Sequence, residues 1–334
     1  MTEIHDMSAS ELLVAYKSKK LSPVDVVDHV ITHIEKWEPR LKALYAPDFG
    51  AARKAAEASE KRWQKGTPSG ALDGVPITIK ENIATKGVPV PLGTAATDLV
   101  PAGADAPAAA RVREAGAILL AKTTMPDYGM LSSGRSSFHP LTRNPWNLAW
   151  NPGGSSAGAG AAAAAGYGPL HLGTDIGGSV RLPASWNGIF TLKPSNGRVP
   201  VDPPFLGRVV GPMTRTVADA ALLLAEISKP DWRDHMNLPP HTIDWNAAAR
   251  TPKGLKIGLH LDAGCGMPVE PETKAAIEAA AKLFADAGAI VTPMAPFMTK
   301  EMLALQDVFW RARIAMVLFT PLMTSRPERS APPP

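Results

Sequence analysis

An α/β fold, with a mixed and mainly parallel central sheet covered by helices and a helical segment at its N-terminal end, follows from three features of the sequence. Beyond Ser69, short apolar runs alternate with helical stretches, the pattern of βαβ units. The first 65 residues carry helical periodicity and two capping signals. Gly and Pro together account for 28 and 33 of the 334 residues, enough to divide the chain into many short elements.

Ser8-Ala-Ser-Glu11 has the spacing of a capping box, and Leu12, Leu13 and Tyr16 follow on one face. Ser22-Pro23-Val24-Asp25 repeats the signal with proline at the first helical position, ahead of a stripe at Val26, Val27, Val30, Ile31 and Ile34. A third, alanine-rich helix is expected from about Ala51 to Gln64, stopping at Gly66. Charges cover the remaining faces, so these helices should lie on the outside of another layer. Val75 to Ile79 reads as a strand entered through the Asp73-Gly74 turn. Residues 107–115 read as a helix ended by Gly116, and Ala117 to Ala121 as a fully apolar strand. Leu255 to Leu261, Glu270 to Ala287 and Ala289 to Thr292 then read as strand, helix and strand. The polar, proline-rich stretch 324–334 is expected to be disordered.

Composition narrows the function classes. Hydrophobic residues make up 45% and charged residues 20% of the chain, which is globular composition. The net charge of +4 is dispersed without a basic block, which argues against nucleic acid and membrane surfaces as partners. A single cysteine, Cys265, excludes an intrachain disulfide and a cysteine-rich metal site and suits the reducing cytoplasm. The opening MTEIHDMSASELL lacks the basic and apolar regions of a signal peptide. Residues 144–174 contain no charge, a span long enough for a bilayer, yet Pro152, a Gly-Gly pair, adjacent serines and His171 point to a buried core segment of a soluble protein.

Three local features depart from ordinary strand and loop chemistry. Lys80 closes the apolar run GVPITIK, on the strand face of Thr78 and Pro76; it is either a lysine reaching out to solvent at a strand end or a buried amine able to act as a base. Pro152-Gly-Gly-Ser155-Ser156 precedes an alanine run, so free N–H groups and hydroxyls gather at a helix start, although such a segment is also a common loop. Leu172-Gly-Thr-Asp175-Ile176-Gly177-Gly178-Ser179-Val180-Arg181 sets a serine after two glycines, where successive amides can converge on one oxygen or merely form a turn. Gly158 to Ala163 and Gly116 to Thr123 lack the context of dinucleotide and phosphate loops. His29 and His33 lie one helical turn apart without the glutamate of a zinc motif, so no metal is expected. His171 is the histidine near a candidate serine, which leaves a Ser-His-Asp arrangement open.

Together and in this order, GVPITIKENI (74–83), RNPWNLAWNPGGSSAGAGAAAA (143–164) and LGTDIGGSVRLPASWNGIFTLKPSNGRVP (172–200) resemble the amidase signature family of serine hydrolases. The resemblance continues through Gly211 to Asp219 and, less specifically, to about residue 320. It implies the family's fold and a catalytic triad of Ser179 as nucleophile, Ser155 as bridging serine after a cis peptide, and Lys80 as base. It further implies an oxyanion hole of the Ile176, Gly177, Gly178 and Ser179 amides, with Ser156, Asp175 and Arg181 in support.

The expected function is that of an amidase: hydrolysis of a small-molecule carboxylic amide through an acyl-enzyme, without metal or cofactor, with a homodimer as a possible assembly. A glutaminase resembling the family's member in glutamyl/aspartyl-tRNA amidotransferases is the first alternative, and a truncated, non-catalytic remnant the second. Family members run longer, and the pattern here ends near Pro321, so the expected organisation is an N-terminal helical segment (1–65), a C-terminally short core (66–323) and a tail (324–334).

Overall fold

The computed structural model describes residues 3–245 and 251–324, which form two compact units, 1–246 and 247–334. The division falls inside the stretch 66–323 read above as one core. The expected tail lies outside the described residues except for Thr324, which ends a helix.

The first unit opens with a short 3-10 turn at Ile4–Asp6, then α1 (Ala9–Lys17) and α2 (Pro23–Leu41). Both helices carry complete capping boxes: Ser8 accepts from the Glu11 amide and Ser22 from the Asp25 amide, with each acidic side chain reaching back. The α2 stripe Val26, Val27, Val30, Ile31 and Ile34 is fully buried, and each of these side chains contributes roughly 1.5–3 kcal/mol of transfer free energy. After β1 (Leu44–Tyr45), α3 (Phe49–Lys65) ends at Gly66 in the left-handed region.

A six-stranded sheet follows from β1, β2 (Pro76–Lys80), β3 (Ile118–Thr123), β4 (Leu170–Asp175), β5 (Phe190–Thr191) and β6 (Val209–Thr214), in the order β1-β3-β2-β4-β6-β5. The centre, β3-β2-β4, is parallel, and the pairs towards both edges are antiparallel. Strands β2 and β4 are buried along their whole length, as parallel strands covered on both faces should be. One apolar cluster joins Val75, Ile77, Leu170 and Leu172 to Val112 of α4 (Pro107–Glu114) and Leu223 of α7 (Val217–Ile227). A second joins Ile118 and Leu120 of β3 to the α2 stripe and to Ala161 and Ala162 of α5 (Ala157–Ala164). The N-terminal helices thus form an outer layer over β3. The uncharged stretch 144–174 divides into loop, the eight-residue α5 and β4, and no helix among the described residues is long and apolar enough to cross a membrane.

In the first unit α6 (Arg181–Asn187) comes between β4 and β5. The second unit holds β7 (Lys256–Leu259), α8 (Pro271–Asp286), β8 (Ile290–Pro293) and α9 (Lys300–Thr324). Strands β7 and β8 pair in parallel, the pattern read from the sequence over 255–292. None of the residues of α8 is buried, and Leu283, Phe284, Ile290 and Phe297 are exposed.

Candidate active site

Because β2 and β4 run parallel, their C-terminal ends meet at one edge of the sheet, where open α/β sheets bind ligands. Lys80 is the last residue of β2, and Thr174 and Asp175 close β4. The loop 152–156 reaches the same edge, with Ser156 as N-cap of α5. It approaches other backbone so closely that a Cβ on Gly154 would stand 2.4 Å from the Leu131 carbonyl oxygen. The Gly154–Ser155 peptide is cis.

Lys80 does not reach solvent; it is completely buried. Its Nζ lies 2.8 Å from Ser155 Oγ, 3.0 Å from Ser156 Oγ and 2.9 Å from Thr174 Oγ1. Burial lowers its pKa to about 7, with the charge of Arg208 acting in the same direction and Asp175 and Glu81 opposing. Ser156 is fully used: its hydroxyl donates to the Thr174 carbonyl at 3.1 Å and accepts from the Thr174 amide at 3.3 Å. Asn82, just past the end of β2, contacts Thr174 Oγ1 through its carboxamide at 3.1 Å.

Ser179 follows Gly178, whose φ of +118° is closed to other residues. Asp175 shapes this turn from within. Its carboxylate accepts from the amides of Gly178 (2.8 Å) and Val180 (3.0 Å) and pairs with the Arg181 guanidinium at 2.9 Å. Burial alone would raise the Asp175 pKa, but Arg181 and these amides outweigh it and hold the group below the usual carboxylate range. The amide of Gly178, read above as an oxyanion donor, is therefore committed to Asp175. Among the described residues the amides of Ile176, Gly177 and Ser179 have no protein acceptor. The two serine loops are joined by the Ser156 amide donating to the Ser179 carbonyl at 3.1 Å; no hydrogen bond links the Ser155 and Ser179 hydroxyls among the described residues.

The arrangement left open around His171 is closed. Its Nδ1 lies 2.7 Å from the Thr78 hydroxyl and its Nε2 3.1 Å from the Gly168 carbonyl, and burial lowers its pKa to about 3. Both ring nitrogens bridge the sheet and neither faces a serine.

Thr174 and Asn82 were missed from the sequence, where their signal is faint: a hydroxyl and a carboxamide next to candidate residues. A further buried network also escaped it. Glu81 contacts His139 and accepts from the Gly93 amide at 2.6 Å. Lys122 is buried and donates to the Ile83 carbonyl and Thr85 hydroxyl, and burial lowers its pKa to about 7. Glu3, His5 and His29 are the one group among the described residues whose ligand atoms lie within 4.8 Å of one another, as metal ligands would; they belong to the N-terminal turn and α2, and none contacts Lys80. His33 instead meets the Ala165 carbonyl at 2.8 Å.

Known proteins share this framework. The amidase family profile matches residues 25–319. The glutamyl-tRNA(Gln) amidotransferase A chain from Chloroflexus aurantiacus is 38% identical over 307 residues, covering 87% of this chain and 61% of that protein. An indoleacetamide hydrolase from Bradyrhizobium diazoefficiens is 37% identical, covering 82% and 53%. A bacterial aryl acylamidase of the amidase signature enzymes superposes with a TM-score of 0.81 at 37% identity, covering 88% of this chain and 62% of that one. The chain thus spans between about half and three fifths of the length of these relatives. With the family profile matched over most of its length and its fold shared, the chain belongs to the amidase signature family.

Proposed function

We propose that the protein hydrolyses a carboxylic amide to the acid and ammonia or an amine, through an acyl-enzyme on Ser179. The observation that carries this reading is the Lys80 amine, fully buried, with a pKa lowered to about 7, 2.8 Å from Ser155 Oγ. A serine hydroxyl is a weak nucleophile and needs a nearby base; a buried lysine whose pKa is lowered to about 7, so that its neutral form is populated near neutral pH, is one.

Ser179 Oγ attacks the amide carbonyl carbon while its proton passes to Ser155 Oγ, and the Ser155 proton passes to the electron pair of Lys80. The amides of Ile176, Gly177 and Ser179 receive the oxyanion, each worth roughly 3–4 kcal/mol. Collapse breaks the C–N bond, and the leaving nitrogen takes a proton from Ser155, which Lys80 replenishes. Water then adds to the ester by the same relay and releases the acid. The relay requires a Ser155–Ser179 hydrogen bond that forms when substrate fills the site, as catalytic hydrogen bonds often do only in the substrate complex. Asp175 and Arg181 hold the turn that presents Ser179. No step calls for a metal or cofactor, and the lone cysteine suits a cytoplasmic setting.

A fluorophosphonate probe followed by peptide mass spectrometry tests the reading. Ser179 should be labelled in the wild-type chain and not in Lys80→Ala; an unreactive wild-type protein with a native circular dichroism spectrum would instead favour the non-catalytic reading. The relationship to a tRNA-dependent amidotransferase supports one rival, a glutaminase. Glutamine hydrolysis that increases on adding the other components of such a complex would select it.

A further inference from the structure

We infer that Asn82 is a positioning residue of this reaction: its carboxamide oxygen accepts a hydrogen bond from the Thr174 hydroxyl and so reserves the free electron pair of Lys80 for Ser155. The inference rests on the proposed role of Lys80 as a neutral base.

The argument is a count of protons. A neutral amine has two N–H donors and one electron pair, and Lys80 Nζ faces three hydroxyls, those of Ser155, Ser156 and Thr174, at 2.8, 3.0 and 2.9 Å. Two of these must accept from Nζ and one must donate to it. The relay works only when the donor is Ser155. Ser156 is excluded as the donor because its hydroxyl proton goes to the Thr174 carbonyl at 3.1 Å. Thr174 has one hydroxyl proton and two acceptors within reach, the Lys80 electron pair and the Asn82 carboxamide. The latter presents Nδ2 at 3.1 Å and Oδ1 at 3.4 Å from Thr174 Oγ1. A half-turn of the carboxamide exchanges these two atoms, so in either orientation its oxygen is close enough to accept. With the Thr174 hydroxyl donating to Asn82, Oγ1 turns its electron pairs to Nζ, and Ser155 is left as the hydroxyl that donates to the base. Without Asn82, the Thr174 proton can occupy the Lys80 electron pair, and that fraction of molecules is idle.

The test is the rate of fluorophosphonate labelling of Ser179 against pH, in the full chain, for wild type, Asn82→Ala, Asn82→Asp and Lys80→Ala. Asn82→Ala should lower the plateau rate about tenfold, the loss of one directing hydrogen bond. Its pH midpoint should not rise, because no negative charge has been added near Nζ. Asn82→Asp restores an acceptor and should recover most of the plateau, while its negative charge favours the protonated amine and moves the midpoint to higher pH. A plateau for Asn82→Ala within twofold of wild type overturns the inference, as does an Asn82→Asp protein no faster than Asn82→Ala. A merely structural role would lower both variants together, with thermal midpoints falling in parallel. If Asn82→Ala does not fold, recovery and midpoint shift in Asn82→Asp carry the test. A Lys80→Ala protein that labels at the wild-type rate removes the base itself, whereas an inert Lys80→Ala beside a normal Asn82→Ala removes only the role given to Asn82.

Discussion

At the scale of single residues, the defining feature is a lysine surrounded by hydroxyls, fully buried and with no carboxylate in contact among the described residues. Hydroxyls solvate an ammonium ion less well than water, so the neutral form is favoured and the pKa is lowered to about 7. Two outcomes follow. The labelling or hydrolysis rate should rise with pH through about 7 and then level off; a maximum near pH 5 would contradict Lys80 as the base. The same shift affects stability. A lysine whose folded pKa is depressed binds fewer protons in the folded than in the unfolded state between about pH 7 and the unfolded value near 10.5. Its destabilising effect is therefore complete below pH 7 and fades as pH rises towards 10. Lys80→Met should be more stable than wild type by a margin that shrinks across that window, read from denaturant midpoints at pH 6.5, 8 and 9.5. A margin independent of pH would mean that the amine is charged in the fold.

At the scale of elements, α2 and the turn before Ser179 respond differently to change. The α2 cap is local: Ser22→Ala removes the acceptor for the Asp25 amide and should cost about 1 kcal/mol in chemical denaturation, with the Ser179 labelling rate unchanged. The turn at Gly178 is bound to the site. Its φ of +118° and a Leu182 side chain 3.2 Å from any added Cβ mean that Gly178→Ala must shift the Asp175-bound amide. Labelling should fall at least tenfold while the fold persists; an unaffected rate would show that the turn tolerates another backbone path. Among the strands, β6 shows why some elements were not visible in advance. Pro212 lies opposite Leu172 inside the sheet, where proline is rare. The Thr191 hydroxyl donates to its carbonyl at 2.7 Å, so that carbonyl faces the β5 side. In an antiparallel strand the nitrogen of a residue faces the same way as its carbonyl. The missing N–H is thus directed past the two-residue β5, and the ladder to β4 is intact.

At the scale of the whole molecule, the two units differ in how they bury apolar surface. In the first, both faces of the sheet are covered by helices, and the two clusters are closed. In the second, α8 has no buried residue, and Leu283 and Phe284 are 71% and 46% exposed. Exposed apolar side chains contribute little to stability and attract amphipathic ligands. The paired change Leu283→Glu with Phe284→Lys should shift the denaturation midpoint by no more than about 0.5 kcal/mol and reduce binding of an anilinonaphthalene sulfonate dye. A large loss of stability would mean that this face is covered in solution.

The helices, their caps, the α/β class and the three motifs are legible in the amino-acid sequence, because each rests on chemistry within a few positions: Ser22 with Asp25, Pro23 at a helix start, Gly66 at a helix end. The family resemblance carries Lys80, Ser155 and Ser179 as candidates without any contact between them. How Lys80 is surrounded follows from the tertiary structure alone, because Ser155 and Thr174 are brought to it by parallel pairing of β2 and β4 and by the entry to α5, across 75 and 94 positions of chain. The service of Gly178 to Asp175 and the bridging role of His171 within the sheet have the same origin. Hydrogen bonds are settled by distance and direction in space, and neither is encoded in spacing along the chain once the partners lie on different strands.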